Sequence, residues 1–174
     1  MKNARLETSR IARRILAASA LIVCFAFTLA SAHADPEKFL LVSFEENVMF
    51  NNNTGTGTLD GKATFAGVFN DRCTRHEDFH VVSVSKDGSQ VNIAGTSTFF
   101  GMNAGDTLTT SFTGTIHFSA DPAISYVDGV EKITGGTGAY ADARGKGTFE
   151  ATQDFAGNYQ VVGVFEVNDA KKGK

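Results

Sequence analysis

Between Thr107 and Ser119 the chain alternates with a period of two. Thr110, Phe112, Gly114, Ile116 and Phe118 fall on one side, and Thr109, Ser111, Thr113, Thr115 and His117 on the other. Successive side chains of an extended strand point to opposite faces, so this segment predicts a strand with one apolar and one polar face. Beyond residue 34 no long stretch holds the 3.6-residue apolar period of an amphipathic helix. There are 18 glycines and only two prolines, Pro36 and Pro122. That composition, with frequent Phe, Val and Thr, favours strands joined by glycine-rich turns.

Eight strands follow from the same reading. They run over Phe39–Phe50, Ala63–Asn70, Phe79–Ser85, Gln90–Phe100, Thr107–Ser119, Ser125–Ile133, Ala143–Asp154 and Tyr159–Asn168. Asn51–Lys62 reads as a polar connection, and Asp71–Asp78 as a charged loop or bulged continuation. Asp128-Gly129 is a point where the sixth strand could turn. Lys86-Asp87-Gly88-Ser89 carries the Asp-Gly hairpin signal, and Phe155-Ala156-Gly157-Asn158 is a second tight turn. Thr134–Ala141 is a glycine-rich turn with room for a short helical turn. Strands at hairpin spacing in one small domain predict an all-β, eight-stranded antiparallel up-and-down barrel, because closure removes exposed edges. The alternative is a two-sheet sandwich.

The N-terminus has a different character. Lys2, Arg5, Arg10, Arg13 and Arg14 precede an uncharged apolar run from Ile15 to Ala30, and Ala32-His33-Ala34 has the small residues a signal peptidase accepts. The run is shorter than the roughly 20 residues that a spanning helix needs. Residues 1–34 are therefore expected to be a cleaved signal-peptide helix, and 35–174 a single secreted or periplasmic barrel domain. Loss of the leader removes five basic residues and Glu7. Eleven Lys and Arg then face 18 Asp and Glu, a net charge of −7 with histidine neutral. That balance argues against nucleic acid and against anionic membrane surfaces, which call for basic patches. Cys73 is the one cysteine beyond the leader, so stability has to come from a core rather than an internal disulfide.

Ile133 to Thr148 includes Gly135-Gly136-Thr137-Gly138-Ala139-Tyr140-Ala141-Asp142-Ala143-Arg144-Gly145. This run resembles the GGTG-x-[FY]-x-x-A-x-G signature of the allene oxide cyclase-like and dirigent-like barrels. The resemblance implies a calycin-type eight-stranded antiparallel barrel, often trimeric, with a pocket at one mouth. In those families such barrels cyclise an unsaturated epoxide or direct phenoxy-radical coupling. The signature's glycines serve backbone geometry, so it speaks for fold more than chemistry.

Candidate chemistry is sparse. Glu45 and Glu46 are strand neighbours, so one points inward, where burial would raise its pKa and suit it to acid–base work. His117, on the polar face of its strand, is a companion candidate. Arg144 and Tyr140, in and just past the signature, are ligand-binding candidates at a barrel mouth, Arg144 for an anionic group unless it pairs with Asp142. Cys73, His76 and His80 have a C-x2-H-x3-H spacing compatible with zinc, but a fourth ligand is not evident. No pattern calls for a cofactor. The function expected is an exported barrel binding a small, mostly apolar molecule. A cyclase or isomerase of the resembled type, and a non-catalytic structural homo-oligomer with a filled interior, are the alternatives.

Overall fold

The computed structural model describes residues 37–118, 125–154 and 156–168. The expected signal helix, the Asp121-Pro122 loop and the tail after Asn168 lie outside them. The described chain forms eight strands: β1 (Glu37–Asn51), β2 (Thr56–Gly67), β3 (Asp71–Val84), β4 (Gln90–Phe100), β5 (Thr107–Phe118), β6 (Ser125–Thr137), β7 (Arg144–Gln153) and β8 (Tyr159–Asn168). Each pairs antiparallel with its sequence neighbours, and β8 returns to β1 from Glu37↔Val167 to Glu45↔Tyr159, closing the barrel. The sandwich alternative is thereby excluded.

Several boundaries differ from expectation, among them β6, which runs on through Thr137 into the expected glycine-rich turn. Asp71–Asp78 is no loop: it pairs continuously with β2 and forms the first half of β3. Most of the polar connection Asn51–Lys62 is strand, from Thr56 onward. Asp128-Gly129 does not break β6, which pairs through both residues with β5 and β7. Charged and glycine-rich residues read as loop in isolation. In a barrel wall, the ladder bonds on both sides hold them extended and their outward side chains stay in water. Phe118, expected on the apolar face, ends β5 with 46% exposure.

Alternation decides what fills the barrel. On β1, Phe39, Leu41, Ser43 and Glu45 point inward and are buried. On β3 the inward set is Cys73, Arg75, Glu77 and Phe79; on β6 it is Val127, Gly129, Glu131 and Ile133. These sets stack into three layers. At the end where the glycine-rich signature lies, Phe39, Leu41, Phe65, Phe69, Phe99, Leu108, Ile133, Tyr140 and Phe165 pack together. At the other end, Ile93, Phe112, Val127, Phe149, Ala151 and Val161 form a second apolar cluster. Between them lies a buried polar layer.

The signature builds the plug of the first mouth. Gly138 has φ +56, a left-handed conformation that favours glycine, and a Cβ there would overlap the Asp106 carboxylate. A Cβ on Gly136 would overlap the Tyr140 carbonyl. Freed of side chains, this stretch makes the short 3-10 turn Gly138–Tyr140. Tyr140 then sits edge-on to Phe65 and Phe69, with ring centroids at 5.9 and 5.0 Å. Its hydroxyl donates to the Asp71 carboxylate at 2.6 Å.

Candidate functional site

The central polar layer gathers residues from five strands. Arg75 on β3 donates through one terminal nitrogen to Glu45 of β1. Its other terminal nitrogen donates to Glu77 at 2.7 Å and to Ser97 Oγ at 3.1 Å, and lies 4.0 Å from Glu131 of β6. Ser97 Oγ in turn donates to Glu77 at 2.8 Å, and the Thr110 hydroxyl on β5 donates to Glu131. Ser43 reaches Glu45 at 3.4 Å. The guanidinium carbon stands 5.1 Å from the centre of the Phe99 ring, on the face of the first apolar cluster.

One guanidinium thus faces three carboxyl groups inside an apolar tube. Burial disfavours charge, and Glu77 and Glu131 add like-charge repulsion. Against these Arg75 and Ser43 pull the other way, and the Glu45 carboxyl is still pushed from 4.5 up to about 8. Glu131 is also raised, by burial first, with Arg75 and Thr110 opposing. For Arg75 burial works against the charge, but Glu77, Glu45 and Glu131 outweigh it and hold the guanidinium above its ordinary value. The balance in the layer thus favours the protonated form of Glu45 and keeps the Arg75 cation. Among the described residues, Arg75 Nε and Glu131 Oε2 are buried without a hydrogen-bond partner.

The two flanks of this layer differ. Toward the plug, Phe39, Leu41, Phe99, Leu108 and Ile133 are 0–1% exposed. Toward the second mouth, Ile93, Phe112, Val127 and Phe149 keep 5–9%. Beyond them Phe79, Val81, Val91, Ile116 and Tyr159 are only half-buried. Among the described residues the lumen is thus sealed at one end and lined at the other by a partly exposed apolar ring, with the polar layer as its floor.

The residues singled out from sequence scatter. Glu45 points into the layer, while Glu46 is exposed on the outer wall. His117 does not join Glu45. It lies on the outer wall, where its ring stacks on Tyr126 at 4.3 Å and Nε2 bonds Asp128 at 2.6 Å. Arg144 is exposed at the start of β7 and donates to the Ala143 carbonyl at 2.6 Å. Tyr140 is buried in the plug, away from the half-exposed mouth. Cys73 points inward, with its sulfur 3.7 Å from the Tyr140 hydroxyl, whereas His76 and His80 lie on the outer face of the same strand. The wall of the barrel separates that thiol from both imidazoles. His76 bonds Asp60 instead, at 2.7 Å.

Arg75, Glu77, Glu131, Ser97 and Thr110 were missed. The signal was present: once Asp71–Asp78 is strand, alternation puts Arg75 and Glu77 on the same face as Cys73 and Phe79. Glu131 likewise falls in line with Val127 and Ile133. Charges at apolar-face positions are the mark of a buried polar layer. The outer wall has its own apolar stripe, with Leu40, Phe44, Val162 and Val164 exposed side by side on β1 and β8. No protein-family model matches this chain, and no curated protein matches it significantly.

Proposed function

We propose that this protein is exported under the direction of residues 1–34 and binds a small, mostly apolar molecule at the second mouth of its barrel. The observation that carries the reading is the unequal burial of the two apolar clusters. A barrel with a purely structural interior has no need to seal one mouth with aromatic rings and leave an apolar ring half-exposed at the other. Apolar walls with a few convergent polar groups are what a small-molecule site requires. The local likeness of Ile133–Thr148 to the allene oxide cyclase-like and dirigent-like signature supports the same reading.

The test uses the neutral dye Nile red with protein beginning at Asp35. Fluorescence enhancement is expected, and Ile116→Asp should weaken it by about tenfold or more, because a charge would enter the apolar ring. Val164→Asp, on the outer stripe, should leave it unchanged. Equal losses in both variants, or no enhancement at all, would remove the proposal. Glu45 favours a second reading, an isomerase or cyclase. A carboxyl that keeps its proton near neutral pH under the apolar ring is suited to protonating an unsaturated substrate. Turnover abolished by Glu45→Gln, with dye binding intact, would select that reading.

A further inference from the structure

Resting on that reading, we infer that the molecule taken up at the second mouth carries a cationic nitrogen, such as a protonated amine, at the inner end of its apolar body. The floor of the site has the wrong stoichiometry for any other charged group. The groups facing the lumen there are Glu45 from β1, Arg75 and Glu77 from β3, and Glu131 from β6. Ser43, Ser97 and Thr110 supply hydroxyls, and Tyr159 is register-paired with Glu45. Three carboxyl groups share one guanidinium, whose terminal nitrogens are already given to Glu45, Glu77 and Ser97.

Glu131 is the point of attachment. Its side chain is fully buried, its Oε1 accepts from Thr110, and its Oε2 has no partner among the described residues. A buried acceptor left unmade is costly, and an ammonium donor satisfies it with a charge-assisted bond. Glu131 stands beside Phe112, its cross-strand neighbour, and Phe112 belongs to the apolar cluster toward the second mouth. An apolar body along Phe112 and Ile116 would deliver its head group to that oxygen. Arg75 Nε is also unpartnered, but an anion approaching it would enter the field of all three carboxyl groups.

The chemistry involves no change in the ligand's bonds. The ammonium arrives with its proton and pairs with the Glu131 carboxylate; the added positive charge favours ionisation of neighbouring Glu45, whose proton passes to solvent. Binding should therefore release a proton and strengthen as pH rises from 6 toward 8, where Glu45 ionises more readily.

The experiment titrates n-octylamine, n-octanol and n-octanoate into protein beginning at Asp35, by calorimetry in two buffers of different ionisation heat. The amine should bind about tenfold more tightly than the alcohol, an increment typical of a charge-assisted bond, and the octanoate more weakly than either. Amine binding should release about one proton, and alcohol binding none. Glu131→Gln, checked for cooperative unfolding, should bring the amine down to the alcohol's affinity. Alcohol binding with no advantage for the amine, or tighter binding of octanoate, overturns the cationic head group and leaves the apolar mouth standing. Failure of all three to bind overturns both.

Discussion

Replacing Glu45 by glutamine should flatten the pH dependence of this barrel's stability. Glutamine is close in shape to the protonated acid, and its amide oxygen can still accept from Arg75. The wild-type carboxyl is raised to about 8 in the fold from an ordinary 4.5. In that window the folded state binds a proton that the unfolded chain has released. The stabilisation is fully present below pH 4.5 and is lost as pH rises through about 8. Each pH unit inside the window removes up to about 1.4 kcal/mol and less near its two ends, so the climb from pH 5 to pH 8 removes about 3–4 kcal/mol. That is a large share of a domain's usual stability. Urea unfolding followed by circular dichroism at pH 5, 6.5 and 8 would read it. His76 is raised above its ordinary value, chiefly by its hydrogen bond to Asp60, and its stabilisation also fades as pH rises. Glu131 contributes in the same direction. His76 lies on the outer wall and survives in the variant, while Glu131 shares Arg75 with Glu45, so the wild-type minus variant difference reports Glu45 together with its coupling to Glu131. If wild type and Glu45→Gln lose stability in parallel across the window, the buried proton is not on Glu45 and the reasoning fails.

Other substitutions probe the rest of the interior. Arg75→Met leaves three carboxyl groups without their cation and should cost about 3–5 kcal/mol by urea unfolding at pH 7, with the deficit shrinking at pH 5 as the acids take up protons. Tyr140→Phe keeps the edge-to-face ring packing but drops the bond to Asp71, an expected loss of about 1–2 kcal/mol by thermal unfolding. Gly95→Ala would press a methyl against the Asp78 carbonyl and the Phe112 ring, with Phe112 Cζ at 2.7 Å, and should destabilise by about 1–3 kcal/mol in the same assay. Cys73 is buried and its thiol raised, first by burial. A thiol reagent such as Ellman's should therefore label it readily only in urea.

Much of the fold is legible because its signal is local. The Thr107–Ser119 alternation, the Asp87-Gly88 turn and the glycines around Tyr140 each dictate backbone within a few residues, and closure follows from the need to leave no edge exposed. The site is legible only in part. Glu45 could be recognised as one of two neighbours forced to opposite faces. His117 sits on the outer wall because a period-two strand sends it there, on the face its own alternation already assigned.

The amino-acid order by itself determined that this chain is strands with one apolar face, and which side of each strand turns inward once strand is granted. Tertiary structure alone decided that Asp71–Asp78 is strand, since its charged residues have weak intrinsic preference for it and only the ladders to β2 and β4 hold it extended. It also decided which inward charges meet. Glu45, Arg75 and Glu131 lie on three strands far apart in sequence, and the stagger of a closed barrel brings them to one level. That stagger is a property of all eight registers together, which no local pattern encodes.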